Sequence, residues 1–217
     1  MERDFDQTVL SHLHSQYRMA EHHTPDGRHS YYVLFDEGVT WGVPGEPQLV
    51  GLHIVRNLDE ATFDFSHVEL PIPAMVQSWL IKRGCPPEDI ALGPGVGTKP
   101  ADQATIALQQ RVMGDGDHFA MLYSYTDDSS SDKAETVVLL RALDERVVKP
   151  FRVLLEQADL ESFTHTLREG AFVTLHAATD WLEDRSTPLP PPAPLPVRPA
   201  MPVARQMPLP QPRDRTR

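Results

Sequence analysis

The chain has one cysteine, Cys85, among its 217 residues. A single thiol excludes a disulfide within the chain and any metal site that is built from several cysteines. Cys85 lies between a glycine and two prolines, with no histidine near it in sequence that would supply the base for a nucleophile. The cysteine content therefore favours a reducing compartment and gives no support for thiol catalysis.

Long apolar runs are also missing. The longest aliphatic run is Val137–Leu140, far shorter than the roughly 20 residues of a membrane-spanning helix. The first residues, MERDFDQ, are charged and lack the apolar core of a signal peptide. We therefore expect a cytoplasmic protein without a membrane segment.

Basic residues are few and unevenly distributed. The chain has 20 Lys and Arg against 31 Asp and Glu, and residues 187–217 contain five of the bases, one of the acids and eleven of the 21 prolines. Residues 1–186 thus carry 15 bases and 30 acids, a net charge of −15, whereas the tail carries +4. We expect an acidic folded body, through which nucleic-acid binding is disfavoured, and a disordered or extended proline-rich tail.

Hydrophobic periodicity predicts an α+β fold for this body. A helix over residues 175–183, with Thr174 as its N-cap, follows a predicted antiparallel β-meander over 118–168. The links between its strands are too short for parallel crossovers. The four predicted strands cover residues 119–125, 136–143, 151–156 and 163–168.

The first half of the chain predicts a related set of elements. Asp4 and Gln7 have the spacing of a capping box, and apolar residues then recur at helical spacing, so we expect a helix over residues 5–20. Pro73 and Gly84 frame a second helix over 74–83. Further elements are strands over 30–36, 49–57 and 62–70 and a helix over 101–113. We therefore expect an antiparallel sheet packed against several helices.

Two segments suggest that the body consists of similar halves, about 1–114 and 115–186. Residues 55–60 and 140–145 share Arg, Leu, Asp and Glu in register, and each half ends in a predicted helix that contains Trp-Leu. The spacing between these landmarks is unequal, so coincidence is the alternative.

The loop Gly93–Lys99 is the candidate ligand site, with Gly95, Gly97, Thr98 and Lys99 as candidate anion ligands. Glycines before a helix expose N–H groups to an anion. The order Thr98-Lys99-Pro100 is not that of a P-loop, and the glycine spacing does not match a dinucleotide-binding fingerprint. An ordinary flexible connection is the alternative.

The sequence predicts no catalytic residue, no metal site and no cofactor. His12 and His14 would point to opposite sides of the predicted helix, and no HExxH or EF-hand spacing occurs. The acidic turns around Asp115 and Asp127 are explained by turn chemistry and solvation.

The candidate contacts with a protein partner are Trp41, in a loop rich in Gly and Pro, and a Pro-x-x-Pro stretch in the tail. Pro196, Arg198 and Pro199 belong to that stretch, which an aromatic groove binds at little ordering cost. A tryptophan that caps the core and a tail that only tethers or solubilises are the alternatives.

Two resemblances bear on the class of protein. Arg168–Thr174, followed by Ala177 and Trp181, resembles the strand-to-helix corner of arm-binding domains in tyrosine recombinases, as a shared local architecture. The predicted order of helix, three strands, helix, further strands and a final helix is similar to secretion-chaperone-like folds, which implies binding of a protein partner.

These observations lead to two hypotheses. The first is a non-enzymatic interaction protein, adaptor or chaperone-like protein that binds an unidentified protein partner. The alternative is an enzyme that acts on a small molecule or nucleotide through the Gly93–Lys99 loop. A polar pocket at the loop with converging ionisable groups would favour the enzyme, and an exposed apolar patch elsewhere would favour partner binding. Self-association through an edge of the meander is a third expectation.

Overall fold

The computed structural model describes residues 16–192, apart from the side chains of Gln16 and Trp41. The strands are β1 Gln16–His23, β2 His29–Asp36, β3 Leu49–Asn57, β4 Thr62–Leu70, β5 Lys99–Pro100, β6 Phe119–Asp127, β7 Lys133–Ala142, β8 Phe151–Asp159 and β9 Thr164–Phe172. The helices are α1 Pro73–Lys82, α2 Gln103–Met113 and α3 Leu175–Glu183, with a single helical turn Val39–Gly42 and a 3₁₀ helix Pro87–Ile90. The α+β class with antiparallel sheets is confirmed.

Sheet 1 consists of β1 to β4 in chain order, and all neighbours are antiparallel. The predicted helix over residues 5–20 is wrong for residues 16–20, which belong to β1, while residues 5–15 lie outside the described residues. The register between β1 and β2 runs from Gln16↔Asp36 to His23↔Ser30. Ladder hydrogen bonds to a neighbouring strand thus override a local helical spacing.

Sheet 2 contains the predicted meander, with β6 to β9 as consecutive antiparallel neighbours. Its last strand continues to Phe172, four residues beyond the predicted end at Arg168. The two-residue strand β5 adds to β9 in parallel and pairs Lys99 with Thr164. No periodicity marks so short a strand, and the sequence did not predict it.

The residues that were predicted to begin or end the helices have these roles in the structure. Pro73 occupies the first turn of α1, and Gly84 ends it with φ +97°, a conformation that favours glycine. Asp102 accepts a hydrogen bond from the Thr105 N–H at 2.8 Å, so α2 begins two residues later than predicted. Thr174 caps α3 as expected.

Helix α1 lies between the two sheets and packs on both. Val76 and Leu80 belong to the buried cluster of sheet 1, and Ile72 and Ala74 belong to that of sheet 2. The helix approaches β3 closely because Gly51 has no side chain; a Cβ there would lie 3.0 Å from Cγ1 of Val76. The core is therefore continuous through one helix.

Helices α2 and α3 cover opposite faces of sheet 2. Leu108 and Val112 of α2 pack beside α1 on the face that carries Val138 and Leu154. Helix α3 packs on the other face, where Trp181 joins a cluster that contains Val137, Leu139 and Val153.

Corresponding positions in the two sheets are separated by a nearly constant number of residues. Strands β3 and β8 begin at Leu49 and Phe151, which are 102 positions apart. The N-caps of α1 and α3, Ile72 and Thr174, have the same separation. Ala61 and Phe163 occupy the same hairpin position, and both have φ +52°. The bulges in β1 and β6 also correspond, at Met19 and Leu122. The division of the chain into related halves and a tail stays a prediction.

The first residues of the predicted tail contact the body. The Trp181 indole N–H donates to the Thr187 carbonyl at 2.8 Å, and Leu189 packs beside Gly170. The Ala171 N–H donates to the Pro190 carbonyl at 3.2 Å. Residues 193–217 lie outside the described residues.

A buried arginine, Arg152, forms contacts with several elements of sheet 2. Arg152, 4% exposed, forms ion pairs with Asp115 and Glu169, and its guanidinium lies 4.9 Å from the ring centre of Phe119. Glu169 also pairs with Arg111 of α2, so one carboxylate compensates two cations.

We expect Glu169→Gln to lower the free energy of unfolding by about 1–3 kcal/mol, because a buried cation loses part of its compensation. Urea denaturation at neutral pH measures the change. Glu145→Gln removes an exposed carboxylate and serves as the control, with an expected change within about 0.5 kcal/mol. Equal effects of the two variants would contradict the proposed role of the Arg152 network.

Candidate binding cleft beneath the glycine-rich loop

A cleft of about 680 Å³ opens between the two sheets, and the Gly93–Lys99 loop forms one of its walls. Its other walls come from both sheets, from the start of α1 and from the middle and last turns of α2. Most of the lining is apolar, including Met19, Phe35, Leu49, Ile106 and Met113. A largely apolar cavity with few polar groups is typical of a binding site for an organic ligand or a peptide side chain.

Hydrogen bonds hold the Gly93–Lys99 loop in place on both sides. On one side the Gln77 amide donates to the Ile90 carbonyl at 2.8 Å. On the other, the Lys99 N–H donates to the carbonyl of Phe163, just before β9, and the Ala101 N–H donates to the carbonyl of His165 in β9, at 2.8 Å each. Between these anchors, Gly97 lies against Met19 of β1. The loop therefore connects the two sheets, with Gly95, Gly97 and Lys99 exposed to solvent.

Two ionisable side chains, Glu156 and His165, line the cleft on neighbouring strands β8 and β9. His165 Nε2 lies 3.9 Å from Glu156 Oε1. The imidazole has further partners at both nitrogens: Thr98 Oγ1 lies 2.9 Å from Nδ1, and Gln109 Nε2 lies 2.8 Å from Nε2. Because the Gln109 nitrogen is a donor, these contacts favour the tautomer that carries its proton on Nδ1.

Burial sets the charge state of this pair. It raises the pKa of Glu156 to about 7 and lowers the pKa of His165. Near neutral pH the cleft therefore holds a neutral imidazole beside a partly protonated carboxyl group, and not an ion pair.

The fold itself does not require these two polar residues. In sheet 1 the same register positions are occupied by Ile54 and Phe63, which are apolar. A sheet with this topology is thus stable with two hydrophobic side chains there, and sheet 2 keeps two ionisable ones at a desolvation cost. Sequence patterning missed the pair because a carboxylate and an imidazole nine residues apart match no motif.

The structure gives the four candidate anion ligands different surroundings. Gly95 and Gly97 have φ of +81° and +68°, which explains the glycines through backbone conformation alone. The Thr98 hydroxyl contacts His165, and the Lys99 backbone pairs with β9. The N-terminus of α2 is occupied by the Asp102 carboxylate, which Arg168 also contacts. Anion binding by these residues stays a prediction.

Most atoms of the candidate partner contacts lie outside the part of the chain that the structure describes. Trp41 belongs to the helical turn Val39–Gly42, and its side chain lies outside the described atoms. Pro196, Arg198 and Pro199 lie outside the described residues.

Two histidines that no sequence motif connects, His29 and His53, come together on sheet 1. His29 Nδ1 lies 3.1 Å from His53 Nε2, and the His53 ring stacks on Tyr31 with centres 4.5 Å apart. Burial, with His29 and Arg83 nearby, lowers the pKa of His53 to about 4. Within residues 16–192, no group of three or more His, Cys, Asp or Glu residues is arranged to hold a metal ion.

A second surface feature is the edge strand β6. Met121, Leu122, Tyr123 and Tyr125 are each 38–48% exposed along it. A cavity of about 190 Å³ lies beside Tyr123 and Tyr125 and reaches Leu182 of α3. Exposed large apolar side chains on a sheet edge are unusual because an open edge can pair with another chain.

Comparisons with known proteins add no function: no protein-family model, no curated protein and no solved structure matches the chain. Among the described residues, the helices are too short or too polar to cross a membrane.

The Glu156 pKa predicts a pH-dependent stability difference. Between pH 4.5 and about 7 the folded chain retains a proton that the unfolded chain has lost, so Glu156 lowers the free energy of unfolding as the pH rises. Gln does not titrate, and we expect the advantage of Glu156→Gln over the wild type to grow by about 2 kcal/mol across this window. Urea denaturation at several pH values measures it. The exposed Glu161→Gln should show a constant difference, and the same constant difference for both variants would refute the assignment.

The His53 pKa predicts the opposite slope. Its folded-state pKa lies below the ordinary 6.5, so the unfolded chain takes up a proton first and the wild type loses stability as the pH falls from 6.5 to about 4. We expect His53→Gln to flatten this loss by about 2 kcal/mol relative to the wild type. Thermal denaturation across the same range is the measurement, with the exposed His118→Gln as control. A slope unchanged by His53→Gln would count against a desolvated His53.

Proposed function

We propose that this chain is a non-enzymatic, cytoplasmic interaction protein, an adaptor or chaperone-like protein that binds an extended segment of a protein partner. The observation that carries the proposal is the apolar edge of β6. Four large apolar side chains line a strand whose outer side is paired with no other strand among the described residues.

Backbone hydrogen bonding at β6 favours a partner strand. The Thr126 N–H points away from β7 and donates to the Gly45 carbonyl at 3.2 Å, so this end of the edge already has a hydrogen-bond partner. Because the hydrogen-bonding direction alternates along a strand, the Ser124 N–H points the same way. An added strand would pair with the edge from Phe119 to Ser124, as in other complexes formed by β-augmentation.

The cavity beside β6 supports side-chain recognition by the same edge. Tyr123 and Tyr125 form one wall, Leu182 forms another, and Arg185 pairs with Glu135 at its rim. Its 190 Å³ fits one medium-sized side chain of an added strand.

Charge favours a partner that is neutral or basic. The body carries a net charge of −15, which disfavours nucleic acid, and the +4 tail with its Pro-x-x-Pro stretch would add a second, weaker contact. A second copy of the chain meets the same geometric requirement at the edge, so homo-oligomerisation is an outcome that the experiment must separate.

The alternative function is an enzyme that acts on a small molecule in the cleft. Glu156 favours it, since a carboxyl group with a pKa of about 7 is suited to general acid–base catalysis. Against it, the side chains of Glu156 and His165 are only 16% and 6% exposed, and both imidazole nitrogens already have partners. These contacts support a structural pair more than a reacting one.

The test is affinity purification of the tagged full-length chain from native extract, with mass spectrometry of what is retained. We expect Tyr123→Lys to reduce recovery of the partner at least tenfold, because a charge replaces an apolar contact at the edge. Leu143→Lys changes a side chain that is 58% exposed in a loop, and it should leave recovery unchanged. Equal recovery with both variants would eliminate β6 as the binding surface.

Two further variants of the chain distinguish the possible modes of binding. Ser124→Pro removes the outward N–H but spares the ladder to β7, so loss of binding would identify strand pairing as the mode. A chain that ends at Pro192 tests the tail without disturbing Thr187 and Leu189, which contact the body. A mass of two copies that falls to one with Tyr123→Lys would indicate self-association. Retention of a metabolite and no protein would favour the enzyme.

A further inference from the structure

The carboxylate of Glu156 lines the cleft between the sheets and forms no hydrogen bond with any residue within 16–192. Its contact with His165 Nε2, at 3.9 Å, is too long for one. Since the imidazole carries its proton on Nδ1, Nε2 also has no proton to donate to the carboxylate. With only 16% of its side chain exposed, Glu156 is thus largely desolvated and lacks a compensating partner.

The other polar side chains of the cleft are already paired. Besides His165, six described polar side chains in the lining are buried or half-buried, and each has a hydrogen-bond partner: Gln48, Gln77, Thr98, Gln109, Thr126 and Thr136. These side chains offer little to a ligand with many polar groups, such as a peptide backbone. They suit a ligand that places one polar group on Glu156.

The charges around the cleft favour a cation at Glu156. The other ionisable side chains in its lining are His165, Asp128 and Lys99, and none of the lining residues in α1 and α2 is ionisable. His165 is neutral because burial lowers its pKa, and Asp128 adds a second carboxylate. Lys99 is exposed to solvent. The net charge of −15 on the body attracts positively charged ligands as well.

The rest of the cleft fits a hydrocarbon body. Its volume of about 680 Å³ lies within the range of about 300–1,000 Å³ that is typical of small-molecule sites. Met19, Phe35, Leu49, Ile106 and Met113 give it an apolar surface. Each methylene group that a ligand buries there should strengthen binding about fourfold.

We propose that the cleft binds a small organic amine, whose ammonium group pairs with the Glu156 carboxylate and whose hydrocarbon body lies among the apolar side chains. The site lies apart from the four apolar side chains of the β6 edge, none of which lines the cleft. It is therefore independent of the proposed partner binding, and either proposal can fail without the other.

Isothermal titration calorimetry of the full-length chain with butylamine, hexylamine and octylamine tests the ligand class. About 0.15 M salt in the buffer screens the exposed carboxylates. We expect saturable binding of one amine per chain that becomes tighter with chain length, and at least tenfold weaker binding of hexanol and hexanoate. The absence of binding by all three amines, or equal binding of hexanol and hexylamine, would overturn the proposal.

Replacement of Glu156 tests the ion pair. Glu156→Gln should weaken hexylamine binding at least tenfold at pH 8, whereas the exposed Glu161→Gln should leave it unchanged. Burial raises the pKa of Glu156 to about 7, so below that pH the ammonium group must displace a proton. An alkylamine, with a pKa near the roughly 10.4 of lysine, stays charged. We therefore expect the wild-type affinity to be about tenfold lower at pH 6 than at pH 8, and no such change in Glu156→Gln. Equal pH dependence in the two chains would refute the pairing.

Two further comparisons locate the site and identify the source of the amine. Ile106→Trp fills the cleft and should weaken hexylamine binding at least tenfold, whereas Val148→Trp changes a side chain that is 80% exposed and should have no effect. Equal affinity in both variants would mean that the amine binds outside the cleft. An acetylated lysine amide carries the same ammonium group on a peptide unit. We expect it to bind at least tenfold more weakly than hexylamine, and equal or tighter binding would overturn the assignment to a free amine.

Discussion

The packing of α1 between the sheets determines the shape of the molecule. A helix at a protein surface buries one stripe, but α1 places Ile72 and Ala74 against sheet 2 and Val76 and Leu80 against sheet 1. Two sheets that share one helix are separated by roughly 10 Å on each side of its axis. Where the helix begins, that separation is no longer filled, and the cleft opens beneath the Gly93–Lys99 loop. The cleft is thus a consequence of the central helix.

The same separation explains the unusual charge state inside the cleft. Glu156 and His165 face the gap from sheet 2, so they are desolvated without being packed as tightly as the core. The His165 imidazole has hydrogen-bond contacts with Thr98 of the loop and Gln109 of α2, so three elements meet at one point. A polar group that is buried and fully hydrogen-bonded specifies one arrangement of the elements around it. This accounts for His165 without a reaction.

Local signals in the sequence predicted most of the fold. Helix ends with their own chemistry, such as Pro73, Gly84 and Thr174, were predicted within a residue, because capping and φ preferences depend on neighbours in sequence. Residues 16–20 of β1 were wrongly predicted as helix because the pairing of β1 with β2 is a tertiary effect. The loop was predicted as a candidate site, but Glu156 and His165 were not, because only the register of β8 and β9 brings them together.

The edge strands β1 and β6 carry the strongest argument for a partner. Strands β1 and β6 have the same place in their sheets and the same bulge, so the fold imposes equal constraints on both. Yet β1 has Arg18 and His22 where β6 has Met121 and Tyr125, and Tyr17 is the one large apolar side chain of β1 that is more than a third exposed. The polar edge shows how this topology protects itself from pairing, as natural sheets usually do. The apolar edge of β6 is therefore not demanded by the architecture, and a binding role gives it a physical reason.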